Sequence, residues 1–188
     1  MKTWNDFVAE YVELSDEKLA AISHKLEKVY LHKGDYFSEA AKVPNTVAYV
    51  LEGVLRGVYY TKKGDAITRC FIPEGSLSAD YINFEAATTS TEYIEACTNC
   101  TLLVFSKKSW EQLSEQVVEW NEIKNKMVHQ CMYQKSRKGP VISQDATARY
   151  EAFLENYPNL ANRVPLSHIA SYLGVTLQSL SRIRKNVR

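Results

Sequence analysis

The chain has 188 residues, 45% of them hydrophobic, with a formal net charge of +1, values ordinary for a globular protein and unlike those of disordered, collagen-like or mucin-like chains. No run approaches the ~18 consecutive apolar residues that a membrane span needs, and the opening MKTWNDFVAEYVEL has acidic residues where a secretory signal needs a basic start and an apolar core, so a cytoplasmic protein is expected. The small net charge conceals an asymmetry: residues 135–188 hold nine Lys and Arg against three Asp and Glu, a net of +6, which leaves residues 1–134 at −5.

The first periodic segment runs from Leu14 to Leu26, with Leu14, Leu19, Ile22 and Leu26 near a 3.6 period and Ser15 as N-cap, and it predicts a helix. From Val29 to Phe105 the texture changes to short runs rich in Val, Ile, Tyr and Thr between turn signals such as Lys33-Gly34-Asp35, Glu52-Gly53 and Lys63-Gly64-Asp65. Strands are expected at Lys28 to Leu31, Thr46 to Leu51, Val54 to Thr61, Ala66 to Ile72, Glu92 to Ala96 and Leu102 to Ser106, a spacing that suits a sandwich or jelly roll.

Helical periodicity returns after Phe105. A short helix near Lys107 to Glu115 and a longer one near Val117 to Arg137 place Trp110, Leu113, Val117, Trp120, Ile123, Met127 and Cys131 at steps of three and four. The stripe Trp120, Ile123, Met127, Cys131 is heptad-like and suits either pairing with the same helix of a second copy or packing on its own domain. Lys138-Gly139-Pro140 breaks this helix and marks a hinge. Beyond it, Ser143 to Tyr157 reads as a helix with Ala146, Tyr150, Phe153 and Leu154 inward, followed by two short helices.

Those two carry the most specific pattern, Pro165-Leu-Ser-His-Ile-Ala-Ser-Tyr-Leu-Gly-Val-Thr-Leu-Gln-Ser-Leu-Ser-Arg-Ile-Arg-Lys, which has helix-turn-helix spacing. Ile169 and Leu173 form the inward face of the first helix, Ala170 is small where the second crosses it, and Gly174 can take the positive φ that ends the first. Val175 plugs the turn and Thr176 caps the second helix, whose Leu180 and Ile183 point to the core. If that helix enters a major groove, Gln178, Ser179 and Arg182 are the candidates for reading bases, and Thr176, Ser181, Arg184, Lys185 and Arg188 for holding phosphates. The basic C-terminal segment fits a polyanion-binding module, although a solvated basic face has the same charge.

At this point the chain resembles the cyclic-AMP receptor protein (Crp/Fnr) superfamily of transcription regulators, in the form common in Bacteroidetes. The recognisable phrases are Tyr49-Val50-Leu51-Glu52-Gly53-Val54-Leu55-Arg56, Phe71-Ile72-Pro73-Glu74-Gly75 and Tyr93-Ile94-Glu95-Ala96. The resemblance implies an α+β chain. Residues 1–116 would form a cyclic-nucleotide-binding-like β-roll (a double-stranded jelly roll) that acts as sensor, 117–138 a long dimerisation helix, and 139–188 a winged-type helix-turn-helix domain whose wing is short or missing. It also implies a homodimer on double-stranded DNA carrying an inverted repeat, with RNA polymerase and a small-molecule effector as further partners and no membrane.

Members that bind cyclic nucleotide hold the ribose with a Gly-Glu pair and the phosphate with an Arg-Ser pair. Here Gly75 is followed by Ser76, and Ser90 and Thr91 stand where the arginine and serine would be, with no other basic residue between Gly75 and Cys100. Cyclic AMP is therefore not expected. An open pocket would suit a neutral or apolar effector met by Ser76, Asp80, Tyr81, Phe84, Ser90 and Thr91; otherwise these residues fill the roll. No cofactor is expected: the first cysteine is Cys70, too late for an N-terminal iron-sulfur cluster, and the four histidines show no ligand spacing. Cys97-Thr-Asn-Cys100 has CxxC spacing, yet strand neighbours three apart point to opposite faces, so buried structural thiols are expected. A cupin-type enzyme would need clustered histidines in the β region, which holds only His32, so no enzyme is expected. A regulatory module whose helix-turn-helix contacts protein rather than DNA is the alternative.

Overall fold

The computed structural model describes residues 3–136 and 145–187; the expected break at Lys138-Gly139-Pro140, and Arg188, lie outside the described residues. The elements run α1 (Trp4–Ala9), α2 (Asp16–Ser23), β1 (Glu27–Leu31), β2 (Tyr36–Ser38), β3 (Thr46–Glu52), β4 (Leu55–Tyr60), β5 (Ala66–Ile72), β6 (Leu77–Ser78), α3 (Tyr81–Ala86), β7 (Tyr93–Ala96), β8 (Cys100–Ser106), α4 (Lys107–Gln116), α5 (Trp120–Ser136), α6 (Ala146–Asn156), α7 (Leu166–Leu173) and α8 (Leu177–Asn186). The expected helix at Leu14 is α2, and Ser15 caps it by accepting from the Lys18 amide. The chain is α+β, and its strands form two antiparallel sheets ordered β1-β8-β3-β6 and β2-β7-β4-β5.

Alternation along the strands divides the core into layers. On β3 and β8, Ala48, Val50, Leu102 and Val104 point between the sheets, where Leu55, Cys70, Ile72, Ile94 and Ala96 of the second sheet meet them. The intervening Val47, Tyr49 and Phe105 point outward under the helices α1, α4 and α5. A strand buried on both faces reads as a continuous apolar run, as Val47 to Val50 does. The second sheet is covered on its outer face as well: Val54, Phe71 and Cys97 share a core with Tyr150, Phe153, Tyr157, Tyr172 and Leu180 of the C-terminal helices. The layers are thus helices, sheet, sheet and helix-turn-helix module.

The long helix corrects one expectation. Trp120, Ile123 and Met127 are 0% exposed and Cys131 is 4% exposed within a single chain, because they pack on the roll. Trp120 sits edge-on to Trp110 with ring centroids 5.0 Å apart and its indole donates to the Trp110 carbonyl at 3.0 Å. These four residues are therefore covered by their own roll, the second of the two readings of the stripe. The face of α5 turned to solvent carries other side chains, with exposed Val118 just ahead of the helix and exposed Met132 on it.

Candidate nucleic-acid interface

The helix-turn-helix is built by its own local chemistry. Gly174 ends α7 at φ 66°, in the left-handed region that glycine enters without steric penalty. The Val175 amide closes the turn on the Ala170 carbonyl at 3.0 Å. Arg149 of α6 donates to the Leu173 carbonyl at 2.5 Å, setting a cation on the negative end of α7. Thr176 then caps α8 by accepting from the Ser179 amide at 3.1 Å. Leu180, 0% exposed, anchors α8, with Val175 and Ile183 partly buried beside it.

This anchoring leaves one face of α8 to solvent. Thr176, Gln178, Ser181, Arg182 and Lys185 are exposed on it. Ser179 is half-buried and its hydroxyl accepts from that of Thr176 at 2.9 Å, so it is partly committed to the cap. Arg184 is half-buried and donates to Asn162 Oδ1 at 3.3 Å, on the module's own surface. Of the three residues expected at base edges, Gln178 and Arg182 are the two with free reach. The basic last turn of α8, Arg184 and Lys185, complements the helix dipole.

The module is seated on the outer face of the second sheet, and α7 does most of the seating. Strand β5 is an edge of its sheet, so half its backbone polar groups need partners from elsewhere. Ser171 supplies them: its hydroxyl accepts from the Thr68 amide at 2.9 Å and donates to the Ala66 carbonyl at 2.8 Å. Phe71 inserts among Phe153, Tyr157 and Tyr172, with ring centroids 5.9, 6.0 and 5.4 Å away. Arg163 forms a two-pronged ion pair with Glu74. Burial pushes the Glu74 carboxyl up, but hydrogen bonds from Arg163, its own backbone and the Gly53 amide outweigh this and hold it below the usual range.

A buried polar centre lies near this seat. Arg56 and Glu95, 4% and 9% exposed, pair at 2.7 Å, and Arg56 also donates to Thr68 Oγ1 at 2.9 Å. His168 of α7 stands 3.5 Å from Cys97 Sγ. Burial, then the charges of Arg56 and Lys33, push its imidazole down to about 4, and burial above all pushes the Cys97 thiol up to about 12. Both shifts favour the neutral forms, a thiol and an unprotonated imidazole. Cys97 points to the module and Cys100 into the inter-sheet core, as their three-residue spacing requires. Gly53, at φ 95°, leaves room there that a Cβ would take from the Asn99 carbonyl and Cys100 Sγ. Among the described residues no group of three or more His, Cys, Asp or Glu could hold a metal ion.

The residues expected around an effector are spread out. Phe84 is buried against Trp110, and Tyr81 packs beside both. Asp80 accepts from Asn83 Nδ2 at 2.7 Å, and the buried Ser90 hydroxyl turns back to the Glu92 carbonyl at 2.9 Å. Ser76 is buried and Thr91 exposed. Sequence reasoning did not single out Ser171, His168, Arg163 or Phe71 as joining the two parts. The one local signal was Cys70-Phe71-Ile72, an apolar run that places a side chain on each face of an edge strand.

No family model matches the sequence, and no curated protein matches it. Solved structures do. FixK2 from Bradyrhizobium japonicum is similar over 86% of this chain and 84% of its own, at 18% identity and a TM-score of 0.73. The c-di-GMP-responsive global regulator CLP of Xanthomonas campestris is similar over 92% and 91%, at 14% identity and a TM-score of 0.69. A transcriptional regulator of the Crp/Fnr family from Eubacterium rectale is similar over 97% and 84%, at 16% identity and a TM-score of 0.68. The chain has the fold of the Crp/Fnr transcription regulators: a cyclic-nucleotide-binding-like β-roll, a long helix and a helix-turn-helix module.

Proposed function

We propose that the protein is a sequence-specific, homodimeric DNA-binding transcription regulator. The observation that carries this reading is the α7–α8 pair, whose turn is closed by Gly174 and Thr176 and whose second helix is anchored by Leu180. Gln178 and Arg182 are thereby presented on an exposed face of the width that a major groove accepts. Thr176, Ser181 and Lys185 serve as phosphate contacts around them, with Arg188 added from the sequence alone, while Arg184 and Ser179 serve chiefly to hold the module's shape.

The second copy binds along the solvent face of the long helix. Val118, Asn121, Asn125 and Met132 lie on that face, with Val128, partly buried against the roll core, at its edge. Val118 is 88% and Met132 38% exposed, and asparagine in such a seam sets register. The roll does not take cyclic AMP: its interior is filled by Val50, Leu55, Ile72, Ile94 and Leu102, and Ser90 and Thr91 occupy the sequence positions of the arginine and serine that hold the phosphate in members that bind it. RNA polymerase is the further partner that this reading implies. No helix among the described residues is long and apolar enough to cross a membrane.

Retention of a mixed-sequence duplex, measured at two salt concentrations, tests the DNA reading. Binding that weakens steeply with salt supports it. Absence of binding at low salt contradicts it and favours a protein-contact role for the same helix.

A further inference from the structure

We propose that the turn joining β4 and β5 is a second DNA contact, in which Lys62 and Lys63 hold a backbone phosphate beside the amino end of α8. The proposal rests on the DNA-binding reading above and adds to it a contact from outside the helix-turn-helix.

Position is the first support. A groove of about 390 Å³ is bounded on one side by Ala66 and Ile67 and on the other by Ser171, Thr176 and Leu177. The start of β5 and the amino end of the exposed helix therefore line one open groove. Lys63 lies three residues before Ala66, at most about 10 Å of extended chain. The hairpin is also held in place, because Ser171 is hydrogen-bonded to Ala66 and Thr68 and Phe71, on the same strand, is inserted among three rings of the module.

The turn itself is rigid and its charge is directed outward. The Thr61 amide donates to the Asp65 carbonyl at 3.0 Å and the Gly64 amide to the Thr61 carbonyl at 2.9 Å. The Thr61 hydroxyl accepts from the Asp65 amide at 3.2 Å and lies 3.4 Å from the Asp65 carboxylate, so the one acidic group of the turn, itself exposed, is engaged by Thr61 and leaves the two lysines in excess. Lys62 and Lys63 are exposed, and neither ammonium group is paired with a carboxylate among the described residues. A helix lying in the major groove brings whatever flanks its amino end against the sugar-phosphate backbone. Two unpaired lysines there release condensed counterions on contact.

The test is fluorescence anisotropy of a labelled mixed-sequence duplex of about 30 base pairs over a salt series, long enough to span two half-sites a helical turn apart. The wild type, the double variant Lys62→Gln/Lys63→Gln and Arg182→Ala are compared as full chains. Each cation that no longer neutralises a phosphate makes the plot of log affinity against log salt shallower by about 0.9. The double variant is expected to show the flattening of one to two such cations and to bind several-fold more weakly, with an unchanged thermal midpoint. A wild type that binds with a double variant of equal slope and affinity overturns the proposal and leaves the DNA reading standing. A double variant that binds more tightly also overturns it, since the turn would then be an obstacle to DNA. A wild type that fails to bind near 50 mM salt, where non-specific affinity is strong, overturns both.

Discussion

Ser171 Oγ lies 2.9 Å from the Thr68 amide nitrogen, occupying the place that the carbonyl of a further strand would take beside β5. The same hydroxyl returns a hydrogen bond to Ala66, so the first helix of the helix-turn-helix module finishes an edge of the second sheet of the roll. Ser171→Ala removes both of these hydrogen bonds from the interface. A loss of about 1–3 kcal/mol is expected, read by urea unfolding. Hydrogen exchange at the Thr68 amide should quicken, and an unchanged exchange rate there would refute the role given to the hydroxyl.

Phe71 is 1% exposed, yet it belongs to the β-roll while its neighbours belong to the helix-turn-helix module. Phe71→Ala should cost about 3–5 kcal/mol and break the coupling of the two parts. Calorimetry should show two transitions where the wild type shows one. Phe105→Ala removes a comparable ring from the opposite, helical face of the roll and should lower stability without splitting the transition.

The docking should weaken in mild acid. His168 is held at about 4 against an ordinary value of 6.5, so the unfolded or undocked state binds the proton more readily. Its contribution is complete above about pH 6.5 and is lost as the pH falls from there toward 4. The thermal midpoint of the wild type should therefore drop more between about pH 7.5 and 5.5 than that of His168→Gln. Equal drops would show that the imidazole does not carry the effect.

Two substitutions on α5 separate its two faces. Ile123→Ala, at a fully buried position, should destabilise the fold by about 2–5 kcal/mol. Met132→Glu, at a position 38% exposed, should leave monomer stability nearly unchanged and shift the sedimentation equilibrium toward monomer. A Met132→Glu protein that remains fully dimeric would place the seam elsewhere.

What could be read from the chain followed the range of the forces involved. The helix-turn-helix was legible because its determinants are local: Gly174, Thr176 and Leu180 act within one turn of themselves. The longer strands were legible from alternation and turn residues, whereas β2 and β6, three and two residues long, are too short to show a period. The helix α1 was missed for the same reason: Trp4, Phe7 and Val8 make one buried stripe over six residues. The stripe of Trp120, Ile123, Met127 and Cys131 was found, but a period reports that a face is covered and not by what. Two tryptophans and Phe105 meeting at 5.0 to 5.6 Å join residues from three elements, a relation that no local pattern carries. The seating of α7 on β5 is longer in range still, linking Ser171 to residues more than a hundred positions earlier.

The central claim is tested most directly by selecting bound duplexes from a random-sequence pool with the wild type and with Arg182→Ala. The account predicts enrichment of an inverted repeat with half-sites about one helical turn apart, and relaxed preference at one position of each half-site in the variant. No enrichment by the wild type under low salt, or an identical selected sequence from Arg182→Ala, would contradict it.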